Sequence, residues 1–568
     1  MQQNYDVVIL GGGLAGLTLS LQLKNAKPGI SILVLERREN EAATAAHKVG
    51  ESTVELGTHY LREVLDLKGY LEAHELPKHG LRFFFPSKTK EKIESRVELG
   101  PRLRLPVPSH QVDRGTLENH LMKLSCSKGN DVLLGAKVSN VDISAEGEHT
   151  ISFIQDGEER KVNCRWIADA SGRASILKRK LQFQKPMEHH TNAAWWRLKG
   201  VIDVDTWTDN KEWQSYLEPG LRYLSTVHFM DTGYWLWVIP LGSKNTSIGI
   251  VADPAVHPFE TFNTYEKAVE WMKVNEPLPY KMLEPLGKED GLLDFKILKH
   301  YAHHTERIYS KDRWGVTGES GAFLDPLYSP GTDFIAMNNS WLSDLILRDL
   351  DGEDIEARAH IFEQAHLALV DSWIPVYQDK YLLMGNTQIM VIKIFWDWAT
   401  YWAIPAHLFV NKAFVNLKIL KELFAKPNSL GRKFGRLNKI MQDLFLEWRP
   451  FEKEVFSNRY IDPFDLGYLR KFQEEIEVQR EPAELLEQVA MNMNTLEQIA
   501  VAIFRQVSIQ VNGTAPGPKV NPYSINLGKK ENAIMVDTES EEAIEPNDSI
   551  TNDVGVMWFY PRKVVEAV

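Results

Sequence analysis

An α/β fold is predicted by three features, each occupying its own part of the chain. A strand-length apolar run, Asp6-Val-Val-Ile-Leu10, feeds straight into Gly11-Gly12-Gly13-Leu14-Ala15-Gly16 and a helical pattern that continues to about Leu23. From about Glu188 to Ile250, short apolar runs alternate with turns, the mark of an antiparallel sheet. After Gly331, long helical patterns take over, at Phe334 to Asp349, Ala357 to Trp373 and Ala483 to Val507. The expected architecture is a Rossmann-like module over residues 1–350 with a sheet at about 188–300 inserted in it. A helical region at 351–527 follows, then a polar tail at 528–568 that composition marks as mobile.

The first element is G-x-G-x-x-G between a strand and a helix. Gly11 permits the turn, Gly13 lets backbone approach a pyrophosphate, and Gly16 lets helix and strand pack closely. The N–H groups at the start of the helix, around Leu14 and Ala15, then face the phosphates with the positive end of the helix dipole. The next strand, Ser31 to Leu35, ends at Glu36-Arg37, and Glu36 is suited to accept from a ribose hydroxyl. His47-Lys48-Val49-Gly50-Glu51-Ser52 follows, and Glu51 also suits the start of a helix over Val54 to Asp66. Phe83-Phe84-Phe85 suggests a strand or lid over apolar space.

Composition narrows the class. With 568 residues, 43% of them hydrophobic, the chain can bury a large core in about two packed domains. A formal charge of −12 without basic runs argues against a nucleic-acid or anionic-membrane partner. Cys126 and Cys164 have no metal-ligand spacing and are expected to be core residues. Tyr5 opens the fold almost at once, so nothing reads as a signal peptide, and a cytoplasmic enzyme is expected. The most apolar region, Gln388 to Val410, is broken by Lys393, Asp397 and His407. It is read as a buried or interfacial helix pair rather than a membrane span, with peripheral membrane contact left open.

Three further segments bear on the nucleotide. Val112-Asp113-Arg114-Gly-Thr-Leu117 resembles the D-R-x-x-L element of glutathione-reductase-type flavoproteins, and Asp169-Ala-Ser171-Gly172 resembles their D-A-x-G segment. Gly318-Glu319 stands where those proteins carry a Gly-Asp pair. The order of the three implies FAD rather than NAD.

Trp235-Leu-Trp237-Val-Ile-Pro240 places two indoles on one face of an extended segment, which also suits an ordinary core. It fits W-x-W-x-I-P, and Phe323-Leu-Asp-Pro326-Leu-Tyr-Ser329-Pro-Gly331 fits F-x-x-P-x-x-S-x-G. On these motifs the chain resembles flavin-dependent halogenases of the tryptophan-halogenase superfamily, the phenol/pyrrole branch more than the free-tryptophan branch.

The resemblance implies FADH2- and O2-dependent halogenation of an electron-rich phenolic or pyrrolic ring, through a flavin C4a-hydroperoxide and hypohalous acid made from chloride or bromide. It assigns Gly11, Gly13, Leu14, Ala15, Gly16, Glu36, Arg37, Lys48, Ser52, Arg114, Asp169, Ser171, Gly172, Glu319, Pro326 and Gly331 to the cofactor. Trp235 and Trp237 would form a partition between flavin and substrate. Lys78, in Pro77-Lys78-His79-Gly80, would hold the oxidant, with His79 as base or positioning group, Glu51 linking flavin to active site, and Lys48 as the rival lysine. Ser329 and Gly331 would hold halide, although Pro330 has no N–H to offer there. Tyr328 stands where tryptophan halogenases carry a glutamate, which favours a phenolic or pyrrolic acceptor, free or carrier-bound. One dinucleotide fingerprint implies a separate NAD(P)H-dependent flavin reductase. Two other readings stay open: an FAD-dependent aromatic monooxygenase that does not use halide, and a non-catalytic flavin-fold protein.

Overall fold

Asn4–Leu10 is sealed from solvent over most of its length because it is a central strand, paired in parallel with Ile32–Leu35 on one side and with Glu158–Asp169 on the other. The computed structural model describes residues 2–45, 48–288, 290–452, 458–528 and 535–558. His47, quoted above in its motif, lies outside them. Trp314–Val316 extends the parallel sheet beyond Glu158–Asp169, and Asp131–Leu133 extends it beyond Ile32–Leu35. Strands buried on both faces read as continuous apolar runs, which is why Val7 to Leu10 and Ile32 to Leu35 carry no alternation. Helix Leu14–Ala26 packs against helices Arg114–Ser127 and Gly331–Leu350, covering one face.

The second sheet runs, edge to edge, Leu292–Leu298, Asn192–Lys199, Asn245–Ala252, Tyr234–Pro240, Thr226–Asp231, Leu81–Phe84, Glu98–Leu99 and Tyr460–Ile461. Its period of two divides Tyr234–Pro240 cleanly. Trp235, Trp237 and Ile239 enter the main core, while Tyr234, Leu236 and Val238 enter a separate outer core with Phe262 and Trp271. The Phe83 region is thus a strand, parallel to Thr226–Asp231.

The helical region includes Glu356–Tyr377, Thr387–Tyr401, Leu430–Trp448 and Pro482–Asn512. The apolar stretch expected as a helix pair is one helical path: Thr387–Tyr401 continues through a π-helical turn, Trp402–Ala406, into His407–Val410. Pro405 lacks an N–H and relaxes the ladder to wider spacing there. Thr387–Tyr401 is buried almost all round, as a core helix should be, and among the described residues no helix is long and apolar enough to cross a membrane.

Two expectations are corrected. Cys164 is core, but Cys126 is exposed, because it falls on the outer side of helix Arg114–Ser127. Residues 535–558 do not behave as a loose polar tail. Ile544 bridges to Val520, and helix Asp548–Val556 buries Ile550 and Val554, with Met557 buried just beyond. A few apolar side chains in a polar segment suffice to dock it. Residues 529–534 and 559–568 lie outside the described residues.

Candidate active site

The nucleotide loop is shaped for close approach of a bulky anion. Gly11 has φ +115°, and a Cβ there would lie 2.4 Å from the Ala170 carbonyl oxygen. Gly13 caps helix Leu14–Ala26, whose first N–H groups have no partners within the helix. A Cβ on Gly16 would strike the Gly11 carbonyl at 2.0 Å, so the strand and helix meet through backbone. Glu36 accepts the N–H groups of Gly12 and Arg38, each at 2.8 Å, which fixes its carboxylate beside the loop, with Arg37 exposed next to it. Asp169 spends its oxygens on Ser171 N–H (2.9 Å) and Leu177 N–H (2.7 Å), so it fastens the Ser171-Gly172 turn from inside. Gly318, at φ +62°, packs on Ala15 and brings Glu319 to the same end of the sheet. This glycine cradle fits FAD, and these residues would hold it.

Arg114 binds the segment before Glu51. Its Nη1 donates to the Val49 carbonyl at 2.9 Å and its Nη2 pairs with Glu118 at 2.5 Å. Lys48 sits there too, with Nζ 3.7 Å from Glu118 and in the space a Cβ on Gly13 would take. Lys48 therefore belongs to the nucleotide loop. Ser52 is buried and shares a hydrogen bond with Thr226 at 3.0 Å, tying its segment to the second sheet.

Glu51 and the tryptophans form one hydrogen-bonded chain. Trp237 Nε1 donates to Ser247 at 3.2 Å, Ser247 donates to Glu51 at 2.7 Å, and Arg197 clamps Glu51 at 2.9 Å. On the other side, Trp235 Nε1 donates to Tyr381 at 3.0 Å, and Tyr381 donates to Asp325 at 2.7 Å, which His189 and Tyr301 also engage. Both indoles are thus pinned, one to the Val49–Ser52 segment and one to the Phe323–Gly331 segment. Rings continue from Trp237 to Trp235 (5.5 Å), His228 (5.5 Å) and Phe83 (4.6 Å). Phe83 in turn meets Tyr328 and Trp398 at 6.2 and 6.1 Å. His228 is fully buried, and desolvation lowers its pKa to about 3, so it serves here as a neutral ring.

Tyr328 and Trp398 open on a cavity walled by all three parts of the fold. Lys78 lies on it, buried, with Nζ donating to the Thr53 carbonyl at 2.8 Å. Burial pulls the Lys78 pKa down to about 7, against the opposing charges of Glu55 and Asp333. Those two acids line the same cavity. Asp333 accepts from Gly57 N–H and from the Tyr401 hydroxyl, each at 2.8 Å, and burial raises it to about 8. Desolvation raises Glu55 also. At the far wall, Asp397 accepts from Tyr328 (2.8 Å), Lys393 (2.5 Å) and Gln442 (2.7 Å).

One expectation about this centre changes. Glu51 stays with the Lys48–Ser52 segment and the Trp237 partner Ser247, and a further acid, Glu55 at the start of helix Glu55–His59, lines the cavity with Lys78. His79 is not beside the amino group. Extended backbone alternates faces, so its ring turns to the Pro101 carbonyl (3.0 Å), buried and with its pKa lowered to about 4 by desolvation and Arg82. Sequence reading missed Glu55, Asp333, Tyr401, His228 and the role of Asp397. The one available signal was the presence of Lys393 and Asp397, four apart in an otherwise apolar run.

Ser329 and Gly331 lie at the start of helix Gly331–Leu350. Tyr328 and Ser329 are consecutive left-handed residues, at φ 70° and 60°, each costing roughly 1–3 kcal/mol. The Tyr328 bond to Asp397 helps hold that turn. Ser329 N–H is used by the Pro326 carbonyl at 2.9 Å, which leaves the helix's own first N–H groups, from Gly331 on, to face an anion. Pro330 lies on the cavity wall.

Residues 4–251 match the family described as FAD binding domain. The flavin-dependent halogenase chlA of Dictyostelium discoideum is 28% identical over 445 residues, 72% of this chain and 71% of that protein. The 1H-pyrrole-2-carbonyl-[peptidyl-carrier protein] chlorinase of Pseudomonas fluorescens is 25% identical over 370 residues, 62% of this chain and 76% of its own. Among solved structures, halogenase PltM in complex with phloroglucinol and FAD superposes with a TM-score of 0.61 at 16% identity, covering 87% of this chain and 96% of that one, a likeness of fold.

Proposed function

We propose that this chain, an oxidoreductase that resembles the flavin-dependent halogenases and carries an FAD-binding domain, halogenates a phenolic or pyrrolic ring held in the Lys78 cavity. FAD, when reduced, would supply with O2 the oxidising power that turns chloride or bromide into hypohalous acid. The ring stack from Trp237 to Phe83 keeps an organic substrate off the nucleotide side. The Lys78 amino group, held by the Thr53 carbonyl, receives the oxidant and presents it to the ring.

The single observation that carries this reading is a buried amino group in an aromatic-walled cavity, on the same core as two indoles fixed by hydrogen bonds. A solvated surface lysine would not fit the role; one whose ammonium is destabilised by burial can exchange a proton near neutrality. The aromatic lining, Tyr328, Trp373, Tyr377 and Trp398 among it, suits a planar ring, whether free or at the end of a carrier arm. A separate NAD(P)H-dependent flavin reductase would provide reduced FAD, in the cytoplasm.

Incubation with FAD, a flavin reductase, NADH, bromide and a panel of phenols and pyrroles, read by mass spectrometry, tests the proposal. A brominated product is expected from wild type and none from Lys78→Ala, with FAD binding retained in both. Halogenation by Lys78→Ala would remove Lys78 from the role. Pro330 at the mouth of helix Gly331–Leu350 favours one second reading, hydroxylation without halide. A product one oxygen heavier, formed equally with and without bromide, would establish it.

A further inference from the structure

We infer that Asp397 is the acceptor for a hydroxyl on the substrate ring, so that the cavity selects hydroxyarenes over rings lacking an O–H donor. The inference rests on the proposed reading of the cavity as the substrate pocket. Asp397 sits in the last third of Thr387–Tyr401, a mostly apolar buried helix, and lines the cavity. An ionised carboxylate offers about four lone-pair directions. Three are taken, by Tyr328, Lys393 and Gln442. One acceptor position is left on a carboxylate that shares the cavity wall with Trp373, Tyr377, Trp398, Phe434 and Asn438.

Stability does not account for the arrangement. A buried ion pair such as Lys393–Asp397 is commonly no better than apolar side chains of the same volume. What it offers is a fixed acceptor with its counter-charge already in place. Lys393 Nζ also lies 5.9 Å from the Tyr328 ring centroid, and Asp397 opposes the burial that lowers its pKa, so the cation stands behind Asp397 and Tyr328. A proton arriving from a substrate hydroxyl would leave an anionic ring oxygen facing that charge. A pyrrole N–H, far less acidic, would gain little from it.

The chemistry balances with hypohalous acid as the co-reactant. The ring carbon bonds to halogen as the halogen–oxygen bond breaks. That oxygen takes a proton from the Lys78 ammonium and leaves as water, while the substrate hydroxyl gives its proton to Asp397. Loss of the ring C–H proton to the Lys78 amine restores the ammonium, and Asp397 returns its proton to the ring oxygen. The net change is arene plus hypohalous acid to haloarene plus water, activated where electron demand is greatest.

The test is binding of 3-methylphenol against 1,3-dimethylbenzene, in which a methyl replaces the hydroxyl at nearly equal size, by calorimetry on the FAD-loaded protein. Wild type should bind the phenol at least tenfold tighter, whereas a merely apolar pocket would favour the hydrocarbon. A hydrogen bond to a charged group corresponds to about 10- to 100-fold. Asp397→Asn should cut the ratio at least tenfold with FAD affinity unchanged. A wild-type ratio below about threefold overturns the inference, and so does a ratio that survives in Asp397→Asn. Should that variant fail to fold, the wild-type ratio alone decides. Failure to brominate any arene would instead bring down the proposed function and leave this comparison of affinities standing as its own test.

Discussion

Lys78 carries opposite consequences for stability and for chemistry. Its folded pKa is about 7, below the 10.5 of an unfolded lysine, so the unfolded chain binds more protons between those values. Stability therefore rises with pH across that window, and below it the residue imposes its full cost. Lys78→Met is expected to raise Tm by a few degrees at pH 7 while abolishing halogenation, whereas an ordinary packing residue would lose both. If the ammonium presents the oxidant, single-turnover rate should fall as pH rises through about 7. Glu55 is the largest charge holding that proton on, so Glu55→Gln should move this alkaline limb to lower pH. An unmoved limb would show that Glu55 is already protonated. None of this was visible in sequence. Pro77-Lys78-His79 pointed to the lysine by resemblance, but Glu55 and Asp333 look there like ordinary surface acids, and Asp397 shows only as a charge in an apolar run. Only folding brings together side chains separated by up to about 340 positions in the chain.

At the scale of elements, legibility followed locality. Gly11–Gly16 and Glu36 stand at the ends of neighbouring strands, so their spacing conveyed them, while the Asp169–Gly172 turn was legible through resemblance. The two indoles were legible as one face of a strand; their anchors, Ser247 and Tyr381, were not, since one lies on the next strand and the other between helices. Helix Gly331–Leu350 shows the same limit. The sequence pattern was read from Phe334, whereas the helix begins at Gly331, and the Asp333 carboxylate in its first turn is engaged by Gly57 and Tyr401 rather than aimed back at the helix end. The N-terminal N–H groups are left to favour an anion there. Replacing Pro330, at φ −78°, by Thr needs no backbone change and adds one donor to that end. A lower KM for chloride or bromide is expected, with kcat changed less. An unchanged halide dependence would place the halide away from this helix.

At the scale of the molecule, a segment that composition marked as mobile is docked on the helical region. Tyr460–Ile461 pairs with Glu98–Leu99 at the edge of the second sheet, next to Pro101 and Pro463 on the cavity wall. Arg459, just before that strand, donates to the carbonyls of Val556 and Trp558, and the Trp558 ring stacks on Trp448 at 5.3 Å. The last described residues therefore brace the junction where the sheet, the helical region and the cavity meet. Ile550, Val554 and Met557 are buried in doing so, each worth roughly 1.5–3 kcal/mol as an upper bound. Composition misread the segment because three apolar side chains are diluted among Asp, Glu, Asn and Ser, while docking depends on where those three point. A chain ending at residue 534 should lose several degrees of Tm. Because the brace holds helix Leu430–Trp448 and Arg459, whose neighbours Phe434, Asn438 and Pro463 line the cavity, KM for the aromatic substrate should rise at least severalfold while FAD affinity stays within about twofold. Equal loss of both would mean that the nucleotide module and the helical region unfold as one unit, and that the brace serves the whole core rather than the cavity rim.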